Sequence, residues 1–131
     1  MVRLRKSNVV FLVADIAATM RWYEHLGFRG RAVPESPPHT FAIISRDDVF
    51  IMLQQLGGYV KPDVYAKRDG GVWNVYVDTQ DVAALYEEVS RHRDVTILRE
   101  LCPQDYGQIE FEVVDPNGYV LVFAQPVGEN R

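Results

Sequence analysis

The sequence predicts an α+β fold built from two βαβββ modules. Three observations lead there. An apolar, β-branched run that ends in an aspartate and leads into a segment of helical period occurs twice. Each of these segments is followed by three further strand-like runs. The chain has 131 residues, a length suited to one compact domain or to two small repeats that share a core.

Residues 8–14 (NVVFLVA) form a short run that reads as a strand buried on both faces. Asp15 follows as a helix N-cap. A helix is expected over residues 16–26, with Ile16, Met20, Tyr23 and Leu26 on its apolar side and Gly27 as its left-handed stop. Strands are predicted at 29–33, 40–45 (TFAIIS) and 49–55 (VFIMLQQ), with a Pro-rich loop at 34–38 and a tight turn at 46–48. After a loop over 56–71 the pattern restarts with a strand at 72–77 (VWNVYV), closed by Asp78 as Asp15 closed the first. A second helix over 80–92 buries Val82, Leu85, Tyr86 and Val89. Strands follow at 95–100, 108–114 and 119–124, with a turn at 115–118 (DPNG). Laying Asp15 on Asp78 sets Tyr23-Glu24 on Tyr86-Glu87 and supports an internal repeat. The expected division is a first module at 7–55, a linker at 56–71 and a second module at 72–126, within one domain spanning 1–131.

Composition excludes several classes of function. Hydrophobic residues make up 47% of the chain and charged residues 24%, as in an ordinary globular protein. Fourteen Lys and Arg stand against eighteen Asp and Glu, a net charge of −4, and no dense basic cluster is present, so nucleic acid is not an expected partner. No apolar run approaches the roughly 18 residues of a membrane span. The basic start (MVRLRK) leads into a run interrupted by Asp15, which reads as a strand rather than a signal peptide. A single cysteine, Cys102, excludes an intramolecular disulfide and fits a reducing cytoplasm. Cys102 has no identifiable base partner and reads as an inert thiol. The chain holds no Gly-x-Ser-x-Gly elbow, no phosphate-cradling glycine loop and no dinucleotide fingerprint.

A strand ending in Asp15-Ile16, a helix carrying Trp22-Tyr23 and closed by Leu26-Gly27-Phe28, then Tyr106-Gly107 and the run from Asp115 to Tyr119 together resemble the vicinal oxygen chelate superfamily. That superfamily includes glyoxalase I, extradiol dioxygenases, fosfomycin-resistance enzymes and bleomycin-resistance proteins. The resemblance covers residues 8–125. It implies sheets curled into a cup, helices outside and a homodimer. In the family's metal enzymes, His, Glu or Gln at four cup-facing positions hold a divalent ion. Carried onto this chain, those positions are Asn8, Met52, Val72 and Val122. One amide and three apolar groups do not make such a site, and a shift of one residue does not mend it. His25, His39 and His92 all fall outside the predicted cup strands. The resemblance therefore points to the branch similar to bleomycin-resistance proteins, with no metal and no cofactor.

Strand alternation assigns the faces. With Asn8, Met52, Val72 and Val122 toward the cup, Val10, Leu12, Phe50, Gln54, Asn74, Tyr76 and Val120 join them, while Phe11, Trp73, Val75, Leu121 and Phe123 pack on the helices. In 108–114 the apolar Ile109, Phe111 and Val113 oppose Gln108, Glu110 and Glu112, so the two glutamates point into the cup or toward its rim. Apolar walls with two carboxylates suit an organic ligand carrying positive charge. The plainer alternative has Glu110 and Glu112 on a solvated sheet face or bonded to neighbouring backbone. Tyr59, Tyr65 and Tyr106 lie in loops that the resemblance places at the cup mouth, either stacking on a ligand or packing on the sheet or a dimer partner. The expected ligand contacts are Asn8, Phe50, Met52, Gln54, Asn74, Tyr76, Tyr106, Glu110, Glu112 and Val122. The reading is a metal-free homodimer that sequesters a small organic molecule without turnover. Its rivals are a glyoxalase- or dioxygenase-like metalloenzyme whose ligands sit in another register, and an interaction module whose cup is filled by its own side chains.

Overall fold

A computed structural model describes residues 1–128. The first module runs β1 (Val9–Val13), α1 (Ile16–Glu24), β2 (Arg29–Val33), β3 (Phe41–Arg46) and β4 (Val49–Gln55). The second runs β5 (Val75–Asp78), α2 (Val82–Ser90), β6 (Thr96–Pro103), β7 (Gln108–Val114) and β8 (Val120–Pro126). Each module forms a four-stranded sheet, ordered β1-β4-β3-β2 and β5-β8-β7-β6. In each, the first and last strands pair in parallel and the other pairs are antiparallel. The predicted α+β fold of two βαβββ modules is the observed one.

The repeat is tighter than the sequence alone suggests, and its register differs. Asp15 accepts a hydrogen bond from the Ala18 amide at 3.1 Å, and Asp81 accepts one from the Ala84 amide at 3.1 Å. A glutamine at the end of each module's last strand completes each helix start. Gln55 Oε1 accepts from the Ile16 amide at 2.8 Å, and Gln125 Oε1 from the Val82 amide at 2.9 Å. Two of the orphan donors at each helix N-terminus are thereby satisfied. Asp15 therefore corresponds to Asp81, not to Asp78, which is the exposed last residue of β5.

Boundaries shift for a related reason. Gly70 and Gly71 both take left-handed φ, +84° and +86°, and the chain enters the sheet only at Val75. Residues 72–74 thus lie outside the strand predicted for them. β6 reaches Pro103 through two register shifts against β7, which extend and twist it. α1 ends at Glu24, two residues before the predicted end, and the turn that follows closes at Gly27, φ +80°, where the Phe28 amide bonds back to the Tyr23 carbonyl at 3.1 Å.

One face of each sheet packs on its helix. Phe11, Val13, Ala42, Ile44, Ile51 and Leu53 from the first sheet join Val75, Val77, Phe111, Val113, Leu121 and Phe123 from the second in a single core. The modules are locked together around Asp115, only 4% exposed, in the β7–β8 turn. Its Oδ1 accepts from the Asn117 and Tyr119 amides at 2.8 and 2.9 Å, and its Oδ2 from the Tyr23 hydroxyl of α1 at 2.7 Å. Asn117 Nδ2 donates to Thr19 Oγ1 at 3.0 Å. The Tyr119 ring stacks on Phe11 at 3.9 Å, and its hydroxyl donates to the Leu12 carbonyl at 2.7 Å. On the far side, Arg46 pairs with Glu88 at 2.7 Å and the Trp22 indole N–H donates to the Asp94 carbonyl at 2.9 Å.

Burial raises the Asp115 pKa despite the three donors that oppose the shift, and burial together with Asp115 raises that of Tyr23. Asp115→Ala, which strands those donors, is expected to cost about 3 kcal/mol in denaturant unfolding. A raised folded pKa means that this carboxyl supports the fold fully below its unfolded pKa of about 3.9, and that the support is lost as pH rises through the folded pKa. Asp115→Asn cannot ionise. Its stability relative to the parent should therefore climb with pH over that window, and a constant difference would contradict the assignment.

Candidate ligand-binding face

β7 carries Glu110 and Glu112 on the face turned away from α2, as alternation requires, and both are fully buried. Neither lies on a solvated sheet face, and neither is bonded to neighbouring backbone. Each is capped by aromatic donors. Glu110 accepts from the Tyr76 hydroxyl at 2.5 Å on Oε2 and from the Tyr106 hydroxyl on Oε1. Glu112 accepts from the Tyr65 hydroxyl at 2.5 Å and from the Trp73 indole N–H at 3.1 Å. Arg99, opposite Glu112 in the β6–β7 ladder, brings its Nε to 3.7 Å of the same carboxylate. Four rings thus converge on two carboxylates about 7 Å apart along one strand.

Trp73 corrects the predicted facing. It was expected to pack on the helices, but it precedes β5 and so does not obey that strand's alternation; its ring tilts against Tyr76 at 5.5 Å. Tyr65 belongs to a short 3-10 turn, Tyr65–Lys67, in the loop that folds back over the second sheet. Its ring rests on Gly71, where an added Cβ would come within 2.5 Å of it. The hydroxyl ends of Tyr76 and Tyr106 lie against Glu110, while the two residues as a whole are 41% and 52% exposed. Desolvation of those hydroxyls, then the bond to Glu110, raises both phenol pKa values well above the ordinary range. Tyr65 is raised too, by desolvation and its bond to Glu112, with Arg99 opposing. All three phenols therefore serve as neutral donors at physiological pH.

The first sheet presents a different surface. Val10, Met52 and Ile43 are direct neighbours across β1, β4 and β3, and Val10 and Ile43 are 49% and 40% exposed. Phe50 is half-buried beneath Lys6, whose Nζ lies 4.2 Å from its ring centroid, and Gln54 is exposed. The face is not filled by its own side chains.

Of the four positions carried over from the family's metal enzymes, Asn8 lies just before β1 and is exposed, and Val122 is buried in β8. The repeat register places Asn74, rather than Val72, as the counterpart of Asn8. Asn74 Oδ1 is committed to the Val120 amide at 2.8 Å. Two amides, a methionine and a valine do not fit a divalent ion of that kind. Among the described residues, no group of three or more His, Cys, Asp or Glu is arranged to hold a metal. His25 and His92 meet at the helix C-termini, rings 5.2 Å apart, and His39 Nδ1 lies 2.7 Å from the Pro34 carbonyl oxygen.

Among the described residues, cavities include one of about 590 Å³ beside β2, one of about 350 Å³ between the modules, and one of about 300 Å³ between residues 61–66 and the second sheet. None of the ten predicted contact residues lines any of the three. Those residues lie instead on two faces, Met52, Phe50 and Gln54 on the first sheet and Tyr76, Tyr106, Glu110, Glu112 and Val122 on the second. Sequence reasoning missed the role of Trp73 and the fold-back of Tyr65. The Gly70-Gly71 pair was the available signal, since two left-handed residues delay the strand and bring both rings over the sheet.

This architecture is that of a known family, and the sequence agrees. Residues 7–123 match the Glyoxalase/Bleomycin resistance protein/Dioxygenase superfamily, and the chain belongs to it. Solved structures share the fold. TioX from Micromonospora sp. ML1 aligns over 94% of this chain and 97% of its own, with a TM-score of 0.69 at 18% identity. A bleomycin-binding protein complexed with bleomycin aligns over 93% and 98%, at 0.66 and 19% identity. A bleomycin resistance determinant encoded on the transposon Tn5 aligns over 95% and 99%, at 0.65 and 18% identity. No curated protein matches the sequence. No helix among the described residues is long and apolar enough to cross a membrane.

The phenol geometry is open to a direct check. In a spectrophotometric titration, Tyr65, Tyr76 and Tyr106 should stay protonated through the pH at which an ordinary tyrosine, with a pKa of about 10, ionises. Tyr65→Phe should cost about 1 kcal/mol and speed amide exchange in residues 59–74. Normal titration of all three, or unchanged exchange, would contradict the capping.

Proposed function

We propose that this protein is a metal-free binder that sequesters a small organic ligand carrying positive charge, in a groove completed by a second copy of the chain. The observation that carries the reading is the pairing of two fully buried carboxylates with a fringe of aromatic rings on the second sheet. Rings supply apolar area and stacking, and the carboxylates set a negative potential behind them. Tyr76, Tyr106, Glu110, Glu112 and Val122 form one wall of the groove. Asn8, Phe50, Met52 and Gln54 form the other, and Asn74 holds β5 against β8 between them.

The row of exposed Val10 and Ile43 with half-buried Met52 between them supports the dimer, because contiguous apolar side chains on an open sheet face are the usual mark of an interface. The donor set at the family's metal positions supports binding without metal chemistry. Likeness to a bleomycin-binding protein makes bleomycin the first ligand to try, and the single Cys102 fits action in the cytoplasm.

Native mass spectrometry of the purified protein, before and after bleomycin is added, tests this reading in one spectrum. The expected result is a metal-free dimer that takes up one or two drug molecules. A stoichiometric metal ion, or catalytic turnover by a homogeneous metal-free sample, would overturn it. Ile43→Asp, which places a charge in the apolar row, should convert the dimer to a folded monomer and abolish uptake.

A further inference from the structure

We infer that Tyr76, Tyr106 and Glu110 form a subsite for an N-alkylated ammonium group, a cation that carries no N–H donor. The inference rests on the ligand-binding reading above and narrows it to a chemical class. Buried carboxylates are ordinarily paired with a cation, because an isolated buried charge is costly. Glu112 obeys that rule through Arg99. Glu110 does not: it is fully buried, and its only partners are two neutral phenols, with no Lys, Arg or His nitrogen within 4.0 Å among the described residues. The missing positive charge is what a ligand can supply.

The geometry also says which kind of cation fits. Each Glu110 oxygen already accepts from one tyrosine, and the carboxylate has no exposed surface. A primary ammonium or a guanidinium brings several N–H donors that need acceptors, and it could reach Glu110 only by displacing a phenol. An alkylated ammonium has no such need. It is weakly hydrated and is attracted by aromatic rings, and Tyr76 and Tyr106 are the exposed aromatic residues around Glu110. Trp73, with its centroid 5.5 Å from that of Tyr76, extends the aromatic wall. The carboxylate behind the two phenols polarises their hydroxyls and adds long-range attraction, which Glu112 reinforces and the Arg99 guanidinium near Tyr106 opposes.

The test titrates the full chain with choline, with ethanolamine, and with 3,3-dimethylbutan-1-ol, the neutral carbon isostere of choline, following the Tyr and Trp side-chain resonances; bleomycin is titrated in parallel. Choline should bind about tenfold more tightly than either analogue, the scale of one cation–π contact in a partly desolvated site. Glu110→Gln should erase the preference over the neutral isostere. Tyr76→Leu, which removes one ring and frees one Glu110 oxygen, should weaken choline and strengthen ethanolamine. Equal affinity for choline and its isostere, tighter binding of ethanolamine, or no binding of choline at tens of millimolar would each overturn the subsite. Uptake of bleomycin alongside any of those results would leave the ligand-binding reading standing, whereas failure of bleomycin with a clear choline preference would retain the subsite and reject that drug as the ligand.

Discussion

The buried carboxylate of Asp115 is the constraint from which the rest of the molecule is arranged. A βαβββ module of about 50 residues is too small to bury a sufficient core alone. Two of them gain one only if their helices and inner faces meet at a fixed angle. Asp115 fixes it by binding its own turn with one oxygen and α1 of the other module with the second. Tyr119 and Asn117 then carry the attachment to β1 and to Thr19. This side of the junction is built from one Asp-Pro-Asn-Gly-Tyr turn, with Gly118 at a left-handed φ of +91° permitting the return, while Arg46–Glu88 and Trp22–Asp94 close the far side.

With the helix-facing sides joined in one core, the opposite faces of the sheets are left to do other work, and they do it differently. The first sheet keeps an apolar, open face, the surface a second copy would cover. The second sheet is dressed by its own loop, so that two acidic side chains that would otherwise be solvated become fully buried beneath aromatic donors. This asymmetry between modules of the same topology is what gives the proposed groove one adhesive wall and one chemically selective wall. At the positions equivalent to the family's metal ligands, Asn8 is exposed, Asn74 binds backbone, and Met52 and Val122 offer no donor suited to such an ion.

Much of the fold was legible in the sequence. β2, β4 and β7 fall on the predicted residues, β7 through its clean alternation and β2 and β4 through the turn and loop residues that flank them. Asp15 and Gly27 mark the first helix by local chemistry that tertiary structure does not override. The second helix start was misread because Asp78 and Asp81 are both plausible caps three residues apart, and only the bond from Gln125, 43 residues away, makes the choice visible. Alternation placed Glu110 and Glu112 on the face turned away from the helix, toward the cup or its rim, but could not show what covers them. Trp73 was misfaced because alternation was extended into a segment that two left-handed glycines keep out of the sheet. Tyr65 reaches Glu112 across 47 residues, a contact with no local signature.

The most direct measurement of the central claim, that the aromatic fringe around Glu110 receives the ligand's cationic group, is the set of intermolecular nuclear Overhauser contacts from the N-methyl protons of bound benzyltrimethylammonium. The account predicts contacts to the ring protons of Tyr76 and Tyr106. Contacts confined to the cavity beside β2 or to the groove between the modules would contradict it.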